Sequence, residues 1–273
     1  MIELPEALTI AQQMNDELNG KRIESSVYMD SPHRFAFYNR DYTSEEYEAM
    51  FNGKTIGMVI GHGSSIFVSL DPDYMLKLGD GGEKILFHQN EDTLPKKHQL
   101  LLHFEDETYL TVSIQGWGAV GVYQQSKDNA QSSDKISPLS DSFTFEYFQG
   151  LFAGLTNRRS IKHFVISEPG ILGVGNGCLQ DILFRAKLHP TRRRIDITEN
   201  EKQMLYDAIK ETLKQAVELG GRDTERDLYN QPGGYPKILD SKKVDQPCPE
   251  CGTSIEKIQH LGGSCYFCPS CQT

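Results

Sequence analysis

Four cysteines near the end of the chain constrain its fold more than any other feature: Cys248-Pro-Glu-Cys251 and, sixteen residues on, Cys268-Pro-Ser-Cys271. Two Cys-x-x-Cys knuckles at this spacing point to one tetrahedral Zn²⁺ site. Each knuckle turns two thiolates toward a common point, and metal–sulfur bonds hold a segment too short to bury a core of its own. Four protein thiolates leave no open position, so Cys248, Cys251, Cys268 and Cys271 are expected as structural ligands. Cys265-x-x-Cys268 offers an alternative second knuckle. The pair Cys268/Cys271 is preferred because Pro269 follows its first ligand as Pro249 does in the other knuckle. Reduced or disulfide-paired cysteines are the remaining alternative.

With 273 residues and 38% apolar content, the chain fills one or two ordinary cores plus a small appended module. It lacks an apolar run of the ~18 residues a membrane span requires, and its N-terminus has no basic n-region. A cytoplasmic protein without membrane partners is expected, in a compartment where thiols stay reduced and available to zinc. A net charge of −10 argues against a polyanionic partner. Its distribution argues the other way. From Thr156 to Arg194, eight basic residues (Arg158, Arg159, Lys162, Arg185, Lys187, Arg192, Arg193, Arg194) face two acidic ones, Glu168 and Asp181. Such a segment is either a phosphate-facing surface or a solvated helix face.

The opening residues read as a helix: Pro5 suits the first turn, Leu4, Ala7/Leu8, Ala11, Met14 and Leu18 form an apolar stripe, and Gly20 is the stop. From Arg22 to about Tyr123 the pattern changes to short β-type runs, among them Thr55–Ile60, Ser65–Leu70, Gln99–Phe104 and Tyr109–Ile114, divided by Gly-rich turns. A β-sandwich or barrel-like domain is expected there. Gln124–Ser137 has linker composition. Helices follow at Phe143–Leu155 and Asn176–Lys187, and Thr198-Glu-Asn-Glu201 is a capping box opening a third that Gly220-Gly221 closes. The expected class is therefore α+β and multidomain, with a sandwich domain over 1–124, a linker over 125–137, a helical domain over 138–240 and a zinc finger over 245–273.

The order of six motifs carries a resemblance across the whole chain: Glu3-Leu-Pro-Glu6, Lys54 in Asn52-Gly-Lys-Thr55, Lys97-His98, Gly173-Val-Gly-Asn176, Leu183-Phe-Arg-Ala186 with His189-Pro190, and Cys248–Gln272. The chain resembles the formamidopyrimidine-DNA glycosylase / endonuclease VIII superfamily. That resemblance implies a helix–two-turn–helix DNA-binding domain, with Asn176 at a turn gripping the phosphates that flank an extruded nucleotide and Lys162 as a second phosphate contact. Backbone amides at a Gly-rich helix start favour an anion, which agrees with the implied role. Family members flip the damaged base from the duplex because its glycosidic bond is out of reach inside the stack.

The resemblance also implies the chemistry. In active relatives a proline follows Met1, and its freed α-amine attacks the sugar C1′ to give a Schiff base. An α-amine of pKa about 7.8 is roughly one-third neutral near pH 7.5, whereas an unperturbed lysine near 10.4 is about 0.1% neutral. Here the position is Ile2. A bulky, β-branched second residue disfavours methionine removal, and a retained Met1 moves the amine by about 3.8 Å. Glu3 and Glu6 stand where the family places acid/base and site-shaping carboxylates; as plain residues they also read as helix-start acids favourable to the dipole. Lys54 resembles the family's loop lysine, a phosphate contact that also offers a second amine.

Three departures follow. Gln115-Gly116-Trp117 replaces an Arg-Arg-Phe wedge, Asp80 aligns with a methionine, and Gly263 aligns with the finger's phosphate-binding arginine. Trp117, the sole tryptophan, either stacks in the gap left by the flipped base or packs in the core. Asn230–Asp240 is the expected base-contacting loop. The resulting expectation is a monomeric, DNA-binding base-excision-repair protein: a glycosylase with abasic-site lyase activity, carrying one structural Zn²⁺. The alternative is a catalytically reduced binder of lesions or unusual DNA structures.

Overall fold

The computed structural model describes residues 1–28, 36–37, 42–124, 135–154 and 158–273. Two compact units emerge: Met1–Asp134 with Leu219–Gly234, and Lys135–Glu218 with Tyr235–Thr273.

In the first unit, helix α1 (Leu4–Leu18) starts where the Glu3 amide donates to Glu6 Oε2 at 3.0 Å. Its buried side chains, Leu4, Ala7, Ile10, Ala11, Met14 and Leu18, recur at three- and four-residue spacing and form one stripe. The stripe packs on strand β3 (Thr55–His62). Gly61 permits that approach, since an added Cβ there would lie 2.9 Å from the Ala7 carbonyl oxygen. The strands build two sheets. One has the order β2 (Ala36–Phe37), β9 (Gly118–Gln124), β5 (Tyr74–Gly79), β4 (Ser65–Asp71), β3; the other is β1 (Ile23–Tyr28), β7 (Leu100–Phe104), β8 (Tyr109–Ile114), β6 (Glu83–His88). All pairings are antiparallel except that of β2 with β9. Ile56, Val68, Leu76 and Val122 of the first sheet share one core with Leu102, Leu110 and Val112 of the second, the interior of the expected sandwich. A second helix, α2 (Ser44–Phe51), interrupts the β region and was not expected from the strand-like runs around it.

In the second unit the expected helix over Phe143–Leu155 is shorter, α3 at Phe145–Gly150, and Leu155 lies outside the described residues. A short helix, α4 (Ile161–Ile166), precedes α5 (Asn176–Arg185), which stops before Lys187 takes a φ of 59°. The Thr198 capping box forms as read: the Thr198 amide donates to Glu201 Oε2 at 2.8 Å and the Glu201 amide to Thr198 Oγ1 at 3.3 Å. It opens α6 (Glu199–Glu218). The finger is a hairpin of β10 (Glu256–His260) and β11 (Gly263–Phe267).

Two boundaries differ from the sequence expectation. Of the linker over 125–137, residues 125–134 lie outside the described residues, and 135–137 belong to the second unit. The helical domain does not run unbroken to 240, because Leu219–Gly234 belongs to the first unit. The reason is a charge network spanning more than two hundred residues of chain, which local patterning does not report.

Candidate active site and nucleic-acid interface

Within the first unit, the returning segment places Arg222 beside the start of α1. Its guanidinium is 2% exposed and donates from Nη1 to Glu3 Oε1 at 2.9 Å, from Nε to Glu6 Oε1 at 2.9 Å, and from Nη2 to Glu6 Oε2 at 2.7 Å. Nη2 also donates to the Met1 carbonyl at 2.7 Å, and the Arg222 amide to Glu6 Oε1 at 3.0 Å. Glu3 and Glu6 are therefore buried members of an ion triad, not solvent-facing helix acids. Such a triad holds its shape tightly, because every displaced bond leaves a buried charge uncompensated.

The triad fixes the N-terminus. Ile2 is buried, and its amide donates to the Gly81 carbonyl at 2.8 Å. The Met1 ammonium lies 2.6 Å from Glu225 Oε2. Both residues line a cleft of about 370 Å³, together with Glu83, Gln115, Thr224 and Arg226. This volume falls in the range of small-ligand sites, ~300–1,000 Å³. The segment reaching the cleft is thus 224–226. Asn230–Asp240, expected to contact the base, does not line it. Part of that stretch is tied into the second unit, where Asp181 accepts the Tyr235 hydroxyl and the Ile238 and Leu239 amides.

Lys54 follows Gly53, which takes a φ of 76°, and its ammonium lies 5.2 Å from the centre of the Tyr74 ring. Trp117 sits at the tip joining β8 to β9 and is 48% exposed, so the core alternative fails. Its carbonyl accepts the Gly82 amide, and the Gln115 amide donates to the Gly82 carbonyl, both at 2.7 Å. Asp80 accepts from Ser64 and Ser65 hydroxyls at 2.7 and 2.8 Å and pairs with Lys77 at 2.8 Å. Burial opposes its charge, yet these bonds outweigh burial and hold its carboxyl below the usual range. Asp80 thus anchors a polar turn.

Within the second unit, Lys162, Asn176 and Gly263 converge. Asn176 Nδ2 donates to the Ser264 carbonyl at 3.0 Å, and its Oδ1 is buried with no partner among the described residues. Lys162 is 1% exposed and donates to the His260 carbonyl at 2.8 Å and Cys265 Sγ at 3.4 Å. The surface phosphate contact expected of Lys162 is corrected to a buried cation beneath the finger hairpin. A Cβ at Gly263 would lie 3.4 Å from Lys162 Nζ and 3.6 Å from the Asn176 amide. These are ordinary van der Waals distances, so the hairpin tip packs against both residues without the backbone requiring a glycine there.

Much of the basic segment is ion-paired within the second unit. Arg185 pairs with Glu211 at 2.8 Å, Arg192 with Glu201 at 3.4 Å, Arg193 with Asp196 at 2.6 Å, and Lys187 with Glu250. Arg194 is buried and donates to the Glu168 carbonyl at 2.7 Å. Of the eight cations only Lys162 and Arg194 are buried; the other six stay exposed or half-buried, most of them in surface ion pairs.

The four knuckle cysteines converge, with all Sγ atoms within 4.8 Å of one another. Cys248 and Cys271 are 3.8 Å apart at sulfur, Cys251 and Cys268 3.5 Å. A tetrahedron with Zn–S bonds of about 2.3 Å has edges of about 3.8 Å, so the donors fit one Zn²⁺. Cys265 bonds to Lys162 and stands outside the group, which closes the alternative register.

Arg222, Glu225 and Glu83 were not anticipated. Arg222 follows Gly220-Gly221, legible only as a helix stop, and its partners lie 216 and 219 residues away. A Gly-Gly stop followed at once by an arginine was the sole local signal.

Three family models divide the chain: the formamidopyrimidine-DNA glycosylase N-terminal domain over residues 1–115, the H2TH domain over 136–227, and the zinc finger found in FPG and IleRS over 245–273. With the amine-lined cleft and the four-thiolate site, they define the class as a zinc-finger DNA glycosylase. Formamidopyrimidine-DNA glycosylase of Listeria innocua is 30% identical over 282 residues, spanning 100% of both chains, and that of Thermus thermophilus is 38% identical over 50% of this chain and 52% of its own. The chain belongs to the formamidopyrimidine-DNA glycosylase family. Its fold matches Lactococcus lactis Fpg bound to abasic-site DNA (TM-score 0.83) and to N7-benzyl-Fapy-dG DNA (TM-score 0.85), each 23% identical over 99% of both chains.

Proposed function

We propose that this chain is a DNA glycosylase of base excision repair that draws a damaged nucleotide into the cleft beside its N-terminus and then cleaves the abasic strand. The observation that carries this reading is the N-terminal ammonium 2.6 Å from Glu225 on the wall of a nucleotide-sized cleft. In its neutral form the amine donates its lone pair to the sugar C1′. The base leaves with the glycosidic electron pair, and Glu225 takes the amine proton. Arg222 holds Glu3 and the Met1 carbonyl, and so orients both the amine and the carboxylate that exchanges a proton with the opening sugar. Lys54 is the reserve amine and, with Asn176, a phosphate contact. Lys162 supports that contact from beneath the finger, and exposed Trp117 stacks where the base has left. The zinc ion is structural, and DNA is the partner. The protein acts as a monomer in the cytoplasm, on the nucleoid in a bacterium. No helix among the described residues is long and apolar enough to cross a membrane.

Borohydride trapping on abasic-site DNA, with the crosslinked residue located by peptide mass spectrometry, tests the reading. A crosslink at the N-terminal residue is expected. A crosslink at Lys54 alone would reassign the nucleophile, and measurable binding with no crosslink and no base release would leave a lesion binder.

A further inference from the structure

Glu83 opens β6 and lines the cleft that holds the N-terminus. It is 8% exposed, an unusual setting for a carboxyl that has no ion pair among the described residues. Oε1 accepts the Ala119 amide at 2.7 Å, while Oε2 is buried without a hydrogen-bond partner among the described residues. Gly118 makes room for the group, since an added Cβ there would lie 2.4 Å from Oε1. The fold thus tucks a carboxyl into the cleft wall, satisfies one oxygen and leaves the other unmatched. Unmatched buried polar atoms are uncommon and call for an explanation, and on a cleft wall a ligand supplies one.

Resting on the cleft as the lesion site, we infer that Glu83 reads the extruded base: protonated at Oε2, it donates a hydrogen bond to a carbonyl oxygen or unprotonated ring nitrogen of that base. The ligand class is a base that presents such an acceptor, as an oxidised or ring-opened purine does. Burial pushes the Glu83 carboxyl up to about 7 although the amides of Ala119, Glu83 and Gly81 favour its charged form, and the Asp80 charge adds to the rise. The charged groups around it are Asp80 on the preceding turn, Lys84 on its own strand, and Met1, Glu6, Glu225 and Arg226 on the cleft wall. From the β8–β9 tip, Gln115 lines the cleft and Ala119 gives its amide; neither side chain titrates. Below pH about 7 the proton is present and the bond forms; above it the group ionises and the bond is lost.

The test compares wild type with Glu83→Ala on a duplex carrying formamidopyrimidine-guanine and on an abasic-site duplex, which has no base to accept the bond. Base release is expected to fall about 10- to 100-fold in Glu83→Ala, the loss of one buried hydrogen bond, with borohydride crosslinking to abasic DNA within about twofold of wild type. Glu83→Gln keeps a donor that does not ionise. It should retain base release at neutral pH, and the ratio of its rate to that of wild type should rise as pH passes about 7, since the amine contributes the same slope to both proteins. Unchanged release in Glu83→Ala, or equal losses on the two duplexes, overturns the inference. If wild type releases no base, the glycosylase reading fails by itself, and the same proteins are compared by affinity for the two duplexes. Weaker binding confined to the base-bearing duplex then sustains the role of Glu83, and equal or unchanged binding overturns it.

Discussion

Arg222 organises the candidate active site through five donated hydrogen bonds to Glu3, Glu6 and Met1. Its removal strands two carboxylates that are 2% and 3% exposed. Breaking a buried ion pair from one side costs about 3–5 kcal/mol, so Arg222→Met should lower unfolding stability by at least that range in urea titration. The triple variant Arg222→Met/Glu3→Gln/Glu6→Gln should recover a measurable part of the loss, because no net charge is then left unpaired; equal stability of single and triple variants would refute the pairing argument. At this scale the sequence was partly legible. Glu3 and Glu6 were named from the motif that carries them, and the structure places both on Arg222. Arg222 was not, because sequence patterning reports neighbours along the chain while this cation meets its anions across more than two hundred residues. Lys162 was named with the wrong exposure for a related reason: burial of a lysine under a hairpin depends on what folds over it.

The finger shows how an element is held together when its core is too small. Its small apolar cluster holds Phe184, Leu239, Ile255, Cys248 and Cys268, with Ile238, Tyr266 and Cys271 packed against it, so the metal must supply much of the cohesion. Stripping the zinc with a chelator should unfold the β10–β11 hairpin and release Lys162 and Asn176 from the His260 and Ser264 carbonyls. The expected readout is a large loss of DNA affinity, on the order of tenfold or more, reversed by adding Zn²⁺. Unchanged affinity after verified metal loss would separate the finger from DNA binding. Elements with strong local signals were legible: β8 matches its expected run, Tyr109–Ile114, and the Thr198 box opens α6. Helix α2 was missed although Thr43-Ser-Glu-Glu46 is itself a capping box, with the Glu46 amide on Thr43 Oγ1 at 3.3 Å and the Thr43 amide on Glu46 Oε2 at 2.7 Å. Its eight residues are a short signal beside long β-type runs.

For the whole molecule, the two compact units are not consecutive stretches of chain. The first is closed by Leu219–Gly234, which brings in Arg222, Glu225 and the 224–226 wall of the cleft. A fragment ending at residue 134 should therefore lack a cooperative thermal transition, whereas the same fragment with 219–234 joined by a flexible linker should regain one. A fragment 1–134 that melts as the full protein does would show that the sandwich needs no returning segment. The boundary drawn from composition missed this because a polar linker and a Gly-Gly stop mark ends of elements, not the unit to which the next element returns.

That return also sets an order of events during synthesis. Glu3 and Glu6 are made before the arginine that neutralises them, which follows 216 to 219 residues later. A nascent sandwich thus waits with two acids bound for its interior, and the cleft is completed only after helix α6 has been translated. The site is thus finished only once the returning segment has been made, so a chain aborted before it, even one holding every residue of the sandwich strands, carries no completed cleft.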